Sequence, residues 1–180
     1  MPIVQSALDV FQIAMGMEAI GKDFYEALAV GCSDPKVRFF CLEAAREEQD
    51  HWGAFRELYD RWAGSSAPAR MTPESARTAA ALAKAQIQPN PAVVRKVALG
   101  GSLTDAVRMA IQLERDAVSF YQRIVTALPQ SARIIQGIVD EEKQHLIRVL
   151  SLAAILPRTA PAVSADRGLP DDSRRGHGPR

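Results

Sequence analysis

Apolar residues recur every three to four positions through four long stretches of the chain, the period of helices that bury one face. The pattern predicts a first helix from about Gln5 to Val30 and a second from about Pro35 to Trp62, stopping at Gly64-Ser65-Ser66. Ser33 is the expected N-cap of the second, with Pro35 in its first turn. A third helix follows Gly100-Gly101, capped by Ser102 or Thr104, and reaches about Leu128. A fourth starts near Pro129 or Ser131 and ends at Pro157. Short breaks after the first and third helices imply two antiparallel hairpins. Residues 63–101 join the hairpins and contain a short helical candidate, Pro73 to Gln86, as a bundle with one long crossover requires. The expected fold class is all-α, a four-helix bundle over residues 1–157. Arg158 to Arg180, rich in proline, glycine and charge, is expected to be a disordered tail.

The two hairpins repeat each other. Asp9, Ala14, Glu18, Phe24 and Tyr25 recur as Asp105, Ala110, Glu114, Phe120 and Tyr121 at an offset of 96. Glu47-Glu48-Gln49-Asp50-His51 recurs as Glu141-Glu142-Lys143-Gln144-His145 at an offset of 94. Such a duplication predicts a pseudo-twofold axis, and anything lying on it is built from both halves.

Composition narrows the function classes. Lys+Arg 22 against Asp+Glu 21 leaves a net charge of +1, so no footprint for nucleic acid or an anionic membrane stands out. No apolar run approaches the ~20 residues of a transmembrane helix, and the N-terminus lacks a signal-peptide pattern. Cys32 and Cys41 form neither a disulfide framework nor a CxxC knuckle. A cytoplasmic setting is expected.

The chemistry lies on the apolar stripes. Helix one offers Ala7, Phe11, Ala14, Glu18, Gly21, Tyr25 and Leu28; helix two offers Val37, Cys41, Ala44, Glu48, His51, Phe55, Leu58 and Trp62. Helix three offers Val107, Ala110, Glu114, Ala117, Tyr121 and Ile124, and helix four Ile135, Ile138, Glu142, His145, Val149 and Leu152. Each stripe is interrupted near its middle by a glutamate, and on helices two and four by a histidine three residues later. A buried carboxylate without a partner costs several kcal/mol, and four at one level also repel one another. Two divalent cations remove both penalties. An i, i+3 pair points one way, so Glu48 with His51 serves one metal and Glu142 with His145 the other, completed by Glu18 and Glu114. One glutamate from each of two helices and Glu-x-x-His from the other two is the di-iron carboxylate pattern. Oxygen and nitrogen donors without thiolate suit iron, with manganese as the alternative. The competing reading makes these ordinary surface charges, which would turn the apolar stripes to solvent.

Other residues carry less. Tyr25 and Tyr121 are either hydrogen-bonded supports or electron relays of the site, or plain core tyrosines. Glu47, Glu141 and Asp50 are read as solvated, Cys41 as a small core residue, Trp52 and Trp62 as packing or subunit contacts, and His177 as inert.

The string Ala14-Met-Gly-Met-Glu18-Ala-Ile-Gly21-Lys-Asp-Phe24-Tyr25 with Glu47-Glu48-Gln-Asp-His51 resembles the rubrerythrin branch of the ferritin-like superfamily. Glu114 through Phe120-Tyr121 to Glu141-Glu142-Lys-Gln-His145 is similar, so the likeness spans about residues 5–156 outside the crossover. It implies a ferritin-like bundle whose Glu18, Glu48, His51, Glu114, Glu142 and His145 ligate two iron ions that react with O2 or H2O2. Typical rubrerythrins carry a rubredoxin domain with paired CxxC motifs. None is found here, which places the electron donor on another protein. They also carry a glutamate three residues after the helix-three ligand, where this chain has Ala117; the resulting symmetric set looks more like bacterioferritin. The bacterioferritin haem methionine is absent too, since Gln49 stands at its place.

Three functional expectations follow. The first is a redox enzyme of oxidative-stress type, a peroxidase or ferroxidase, forming a dimer or larger homo-oligomer. The second is iron sequestration or delivery, with the tail as a docking peptide. The third is a scaffold that has lost its metal.

Overall fold

A computed structural model describes residues 6–65 and 90–155. The expected helix at Pro73–Gln86 and the tail expectation for Arg158–Arg180 lie outside the described residues. Among the described residues, five α-helices run in the order α1 (Ala7–Gly31), α2 (Pro35–Ala63), α3 (Pro91–Gly100), α4 (Leu103–Ala127) and α5 (Ala132–Ile155). A 3-10 turn, Pro129–Ser131, precedes α5. There is no strand among the described residues, and no described helix is long and apolar enough to cross a membrane.

Local chemistry sets the helix starts. Ser6 caps α1 reciprocally with Asp9, each side chain accepting the other's backbone N–H. The cap of α2 is Asp34 and not Ser33; its carboxylate accepts from the N–H groups of Lys36 and Val37, and Pro35 takes the first helical position. A carboxylate adjoining Pro35 can satisfy two amides at the positive end of the helix dipole, which a hydroxyl one residue earlier cannot. Ser102 caps α4 by accepting from Asp105 N. The unforeseen helix is α3, whose signal was Asn90-Pro91, a cap followed by a first-turn proline. Its end requires glycine. A Cβ on Gly101 would lie 2.6 Å from the Val97 carbonyl oxygen, which accepts the Gly101 N–H.

α1 pairs with α2 and α4 with α5, as two antiparallel hairpins. The start of α1 meets the end of α2 where Phe11 and Trp62 pack edge to face, their centroids 6.3 Å apart. Trp62 also donates its indole N–H to Ser131 Oγ at 3.1 Å, tying one hairpin to the turn of the other. The core forms two apolar clusters, one at each end of the bundle. One gathers Phe11, Phe55, Leu58, Phe120, Tyr121, Ile124 and Ile135; the other holds Phe24, Tyr25, Cys41, Val107 and Val149, with Val94 and Ala98 of α3 packed on it. Between the two clusters lies the charged layer.

Candidate metal centre

All six residues expected from the sequence, Glu18, Glu48, His51, Glu114, Glu142 and His145, are buried, and they converge in this layer. Their donor atoms form two groups, each with all its atoms within 4.8 Å of one another: Glu18, Glu48, His51 and Glu142, then Glu48, Glu114, Glu142 and His145. Glu48 and Glu142 belong to both.

The distances explain that sharing. His51 Nδ1 lies 2.9 Å from Glu142 Oε1 and 4.0 Å from Glu48 Oε2. His145 Nδ1 lies 3.4 Å from the other oxygen of Glu142 and 3.7 Å from the other oxygen of Glu48. Each central carboxylate therefore turns one oxygen to each histidine. The i, i+3 spacing assigned Glu48 and Glu142 to separate ions, but across the helix interface both straddle the two positions. Glu18 and Glu114 sit at opposite ends, 3.9 Å from His51 Nδ1 and 3.7 Å from His145 Nδ1 respectively.

Sequence reasoning missed how the histidines are held. His51 Nε2 lies 2.8 Å from Glu141 Oε2, and His145 Nε2 lies 2.8 Å from Glu47 Oε2. Glu47 and Glu141, read as solvated, thus each clamp the histidine of the opposite hairpin. Arg148 donates to Glu47 at 2.7 Å and lies over the Phe40 ring. The matching offset of the two glutamates was a signal, but their targets lie on other helices. Asp50 is exposed, as expected.

The tyrosines also cross between halves. Tyr25 donates its hydroxyl to Glu114 Oε1. Tyr121 faces Glu18, the repeat-related counterpart, but its buried hydroxyl completes no hydrogen bond of the kind that Tyr25 makes. Gly21 sits where a Cβ would come 3.1 Å from Glu48 Cδ, so its missing side chain makes room for that carboxylate.

Without metal the layer is electrostatically frustrated. Burial, then the charge of Glu142, pushes Glu18 up to about 8 and raises Glu48 well above the carboxylate range. Burial also takes Glu114 to about 7, against the pull of His145. Burial disfavours the charged form of Glu142 as well, yet His145 and His51 hold it down at about 2. For both histidines burial opposes the charged ring, but the facing carboxylates win and raise His51 to about 9 and His145 to about 11. Protons here do what cations would otherwise do.

A direct test of fit is which polar atoms are left over. Among buried side-chain atoms without a hydrogen-bond partner are Glu18 Oε1, His51 Nδ1, both Glu142 oxygens and His145 Nδ1. With each Nε2 engaged by an outer glutamate, the free lone pair of a neutral ring is on Nδ1, aimed inward. Buried polar atoms are normally satisfied, and orphaned carboxylate oxygens beside orphaned imidazole nitrogens are a donor set that fits cations. Four carboxylates and two imidazoles balance two divalent ions.

An antiparallel helical bundle with a buried, duplicated carboxylate–histidine centre defines the class: a ferritin-like carboxylate protein. The profile of the rubrerythrin family matches residues 9–153, and the chain belongs to that family. A crystal structure from Thermotoga maritima, described as that of a ferritin-like diiron-carboxylate protein, superposes with a TM-score of 0.65. The match covers 86% of this chain and 99% of that one at 19% identity, a likeness of fold. No curated protein matches the chain. Family and cluster together fit a di-iron protein.

Proposed function

We propose that the protein is a non-haem di-iron oxidoreductase in which Glu18, Glu48, His51, Glu114, Glu142 and His145 hold two iron ions, with H2O2 or O2 as oxidant. The observation that carries this reading is the set of inward-facing, unpartnered Nδ1 and carboxylate atoms in two groups that share Glu48 and Glu142. Two Fe(II) ions held side by side supply the two electrons that an O–O bond needs. Glu48 and Glu142, common to both groups, would serve both ions, Glu18 and Glu114 would each serve one, and Glu141 and Glu47 hold each imidazole with Nδ1 inward. Tyr25, hydrogen-bonded to Glu114, stands where it can pass a proton or an electron toward the centre. The apolar clusters above and below cover the two ends of the charged layer. Electrons return from a separate donor protein.

Metal analysis of purified protein should give two iron ions per chain. Stopped-flow mixing of the Fe(II)-loaded protein with H2O2, and separately with O2, should oxidise the iron faster than free Fe(II). Oxidation no faster than in solution with either oxidant would remove the redox reading.

A further inference from the structure

The duplication makes the two ion positions equal in ligands, yet three independent features around them are unequal. The first is access. A cavity of about 190 Å³ lies between α1 and α2, with Glu18 and Glu48 at its floor. Its walls are Ala19, Lys22 and Asp23 from α1 and Gln49 and Trp52 from α2; neither Glu114 nor His145 lines it. The repeat-related positions are Arg115, Val118, Ser119, Lys143 and Leu146, so Arg115 stands in place of Ala19 and the lining of this cavity is not repeated in the second hairpin.

The second feature is how the end glutamates are held. Glu114 accepts a hydrogen bond from Tyr25, whereas Glu18 Oε1 and the Tyr121 hydroxyl are both without partners. The third is how the histidines are held. Glu47, which clamps His145, is itself bonded to Arg148 and only 34% exposed; Glu141, which clamps His51, is 66% exposed. The repeat-related counterpart of Arg148 is Ala54.

All three point the same way. We infer that the two ion positions do different work: the Glu18–His51 position, beside the α1–α2 cavity, is where ions enter and exchange, and the Glu114–His145 position, whose ligands are more firmly held, retains its ion. The inference rests on the reading that these six residues bind two divalent ions. A chain of fixed partners, Arg148 to Glu47 to His145, restrains one imidazole, and a carboxylate in water restrains the other more weakly. The cavity also reaches Glu18, a ligand of the first position only, and among the described residues it offers that position a path out.

Isotope exchange reads this without turnover. The full-length protein is loaded with two equivalents of natural-abundance Zn(II) and chased with excess 67Zn(II), and the bound isotope ratio is followed by mass spectrometry. Two phases of equal amplitude are expected, separated at least about tenfold in rate. Ala19→Trp fills the cavity mouth from an exposed position and should slow the fast phase about tenfold while sparing the slow one. Arg148→Met frees Glu47 and should accelerate the slow phase alone. A single phase for both ions, or an Ala19→Trp protein whose fast phase is unchanged, overturns the inference. An Arg148→Met protein whose slow phase is unchanged removes the Arg148–Glu47 restraint from it. A chain that binds no zinc takes down the two-metal reading as well.

Discussion

His51 and Glu141 are 90 residues apart in sequence and 2.8 Å apart in space, Nε2 against Oε2. The contact fixes which ring nitrogen faces the centre, because an imidazole whose Nε2–H is donated outward keeps its Nδ1 lone pair for a cation. Its symmetric partner is the contact between His145 and Glu47. The histidine of each hairpin is therefore oriented by the other hairpin.

Replacing Glu141 with glutamine keeps an acceptor but removes the charge. Glu141→Gln should weaken binding of one Zn(II) by about tenfold, within the usual range for such outer partners, and leave the other ion little changed. Titration calorimetry of the metal-free protein with Zn(II) measures both steps. Two unchanged steps would mean that the Glu141 charge is irrelevant to His51.

The two tyrosines should separate in a stability experiment. Tyr25→Phe leaves Glu114 Oε1 without its donor, which should cost about 1–3 kcal/mol in the metal-free protein. Tyr121→Phe deletes a hydroxyl that has no partner and should be neutral or slightly stabilising. Urea unfolding of both variants decides it; equal losses would contradict the asymmetry.

Gly21→Ala sets two effects against each other. Alanine gains up to about 1 kcal/mol of helix propensity over glycine inside α1. The new Cβ, however, would stand 3.1 Å from Glu48 Cδ and 3.2 Å from its Oε1, so the carboxylate must shift by a few tenths of an ångström. The metal-free variant should be as stable as the parent or more so, while its Zn(II) affinity falls about tenfold. Unchanged affinity would show that Glu48 has slack at that position.

The metal-free protein should lose stability as pH rises from about 5 to 9. Glu18 moves from 4.5 to about 8 on folding, and His51 from 6.5 to about 9, so between those values the folded chain holds protons that the unfolded chain has released. Stability then falls by about 1.4 kcal/mol per pH unit for each such proton. Glu142 acts oppositely, because its value drops to about 2; its contribution is lost only as pH falls from 4.5 through 2. Denaturation midpoints against pH, with and without Zn(II), test this. The metal-loaded protein should hold its stability over the same range, since the cations replace the protons.

The cysteines offer a simpler check. Burial pushes the Cys41 thiol up to about 12, while Cys32 is partly exposed at the end of α1. Iodoacetamide on the native protein should label Cys32 and spare Cys41, read by peptide mass spectrometry. Labelling of Cys41 at a comparable rate would mean that its end of the bundle opens readily.

The sequence by itself determined the four long helices, the six buried glutamates and histidines and their duplication. All of these are local or periodic properties: a 3.6-residue stripe, an i, i+3 pair, a repeat offset. The tertiary structure alone decided what crosses between helices. It turned the two oxygens of Glu48 and of Glu142 to different histidines, and it brought Glu47 and Glu141 to rings on the opposite hairpin. It also placed Tyr25 against Glu114, docked α3 on one end of the bundle and opened the cavity beside Glu18. The physical reason is range. Helix periodicity dictates which way a side chain leaves its own backbone, but the atom it meets depends on how two helices pack, and no spacing within either helix records that.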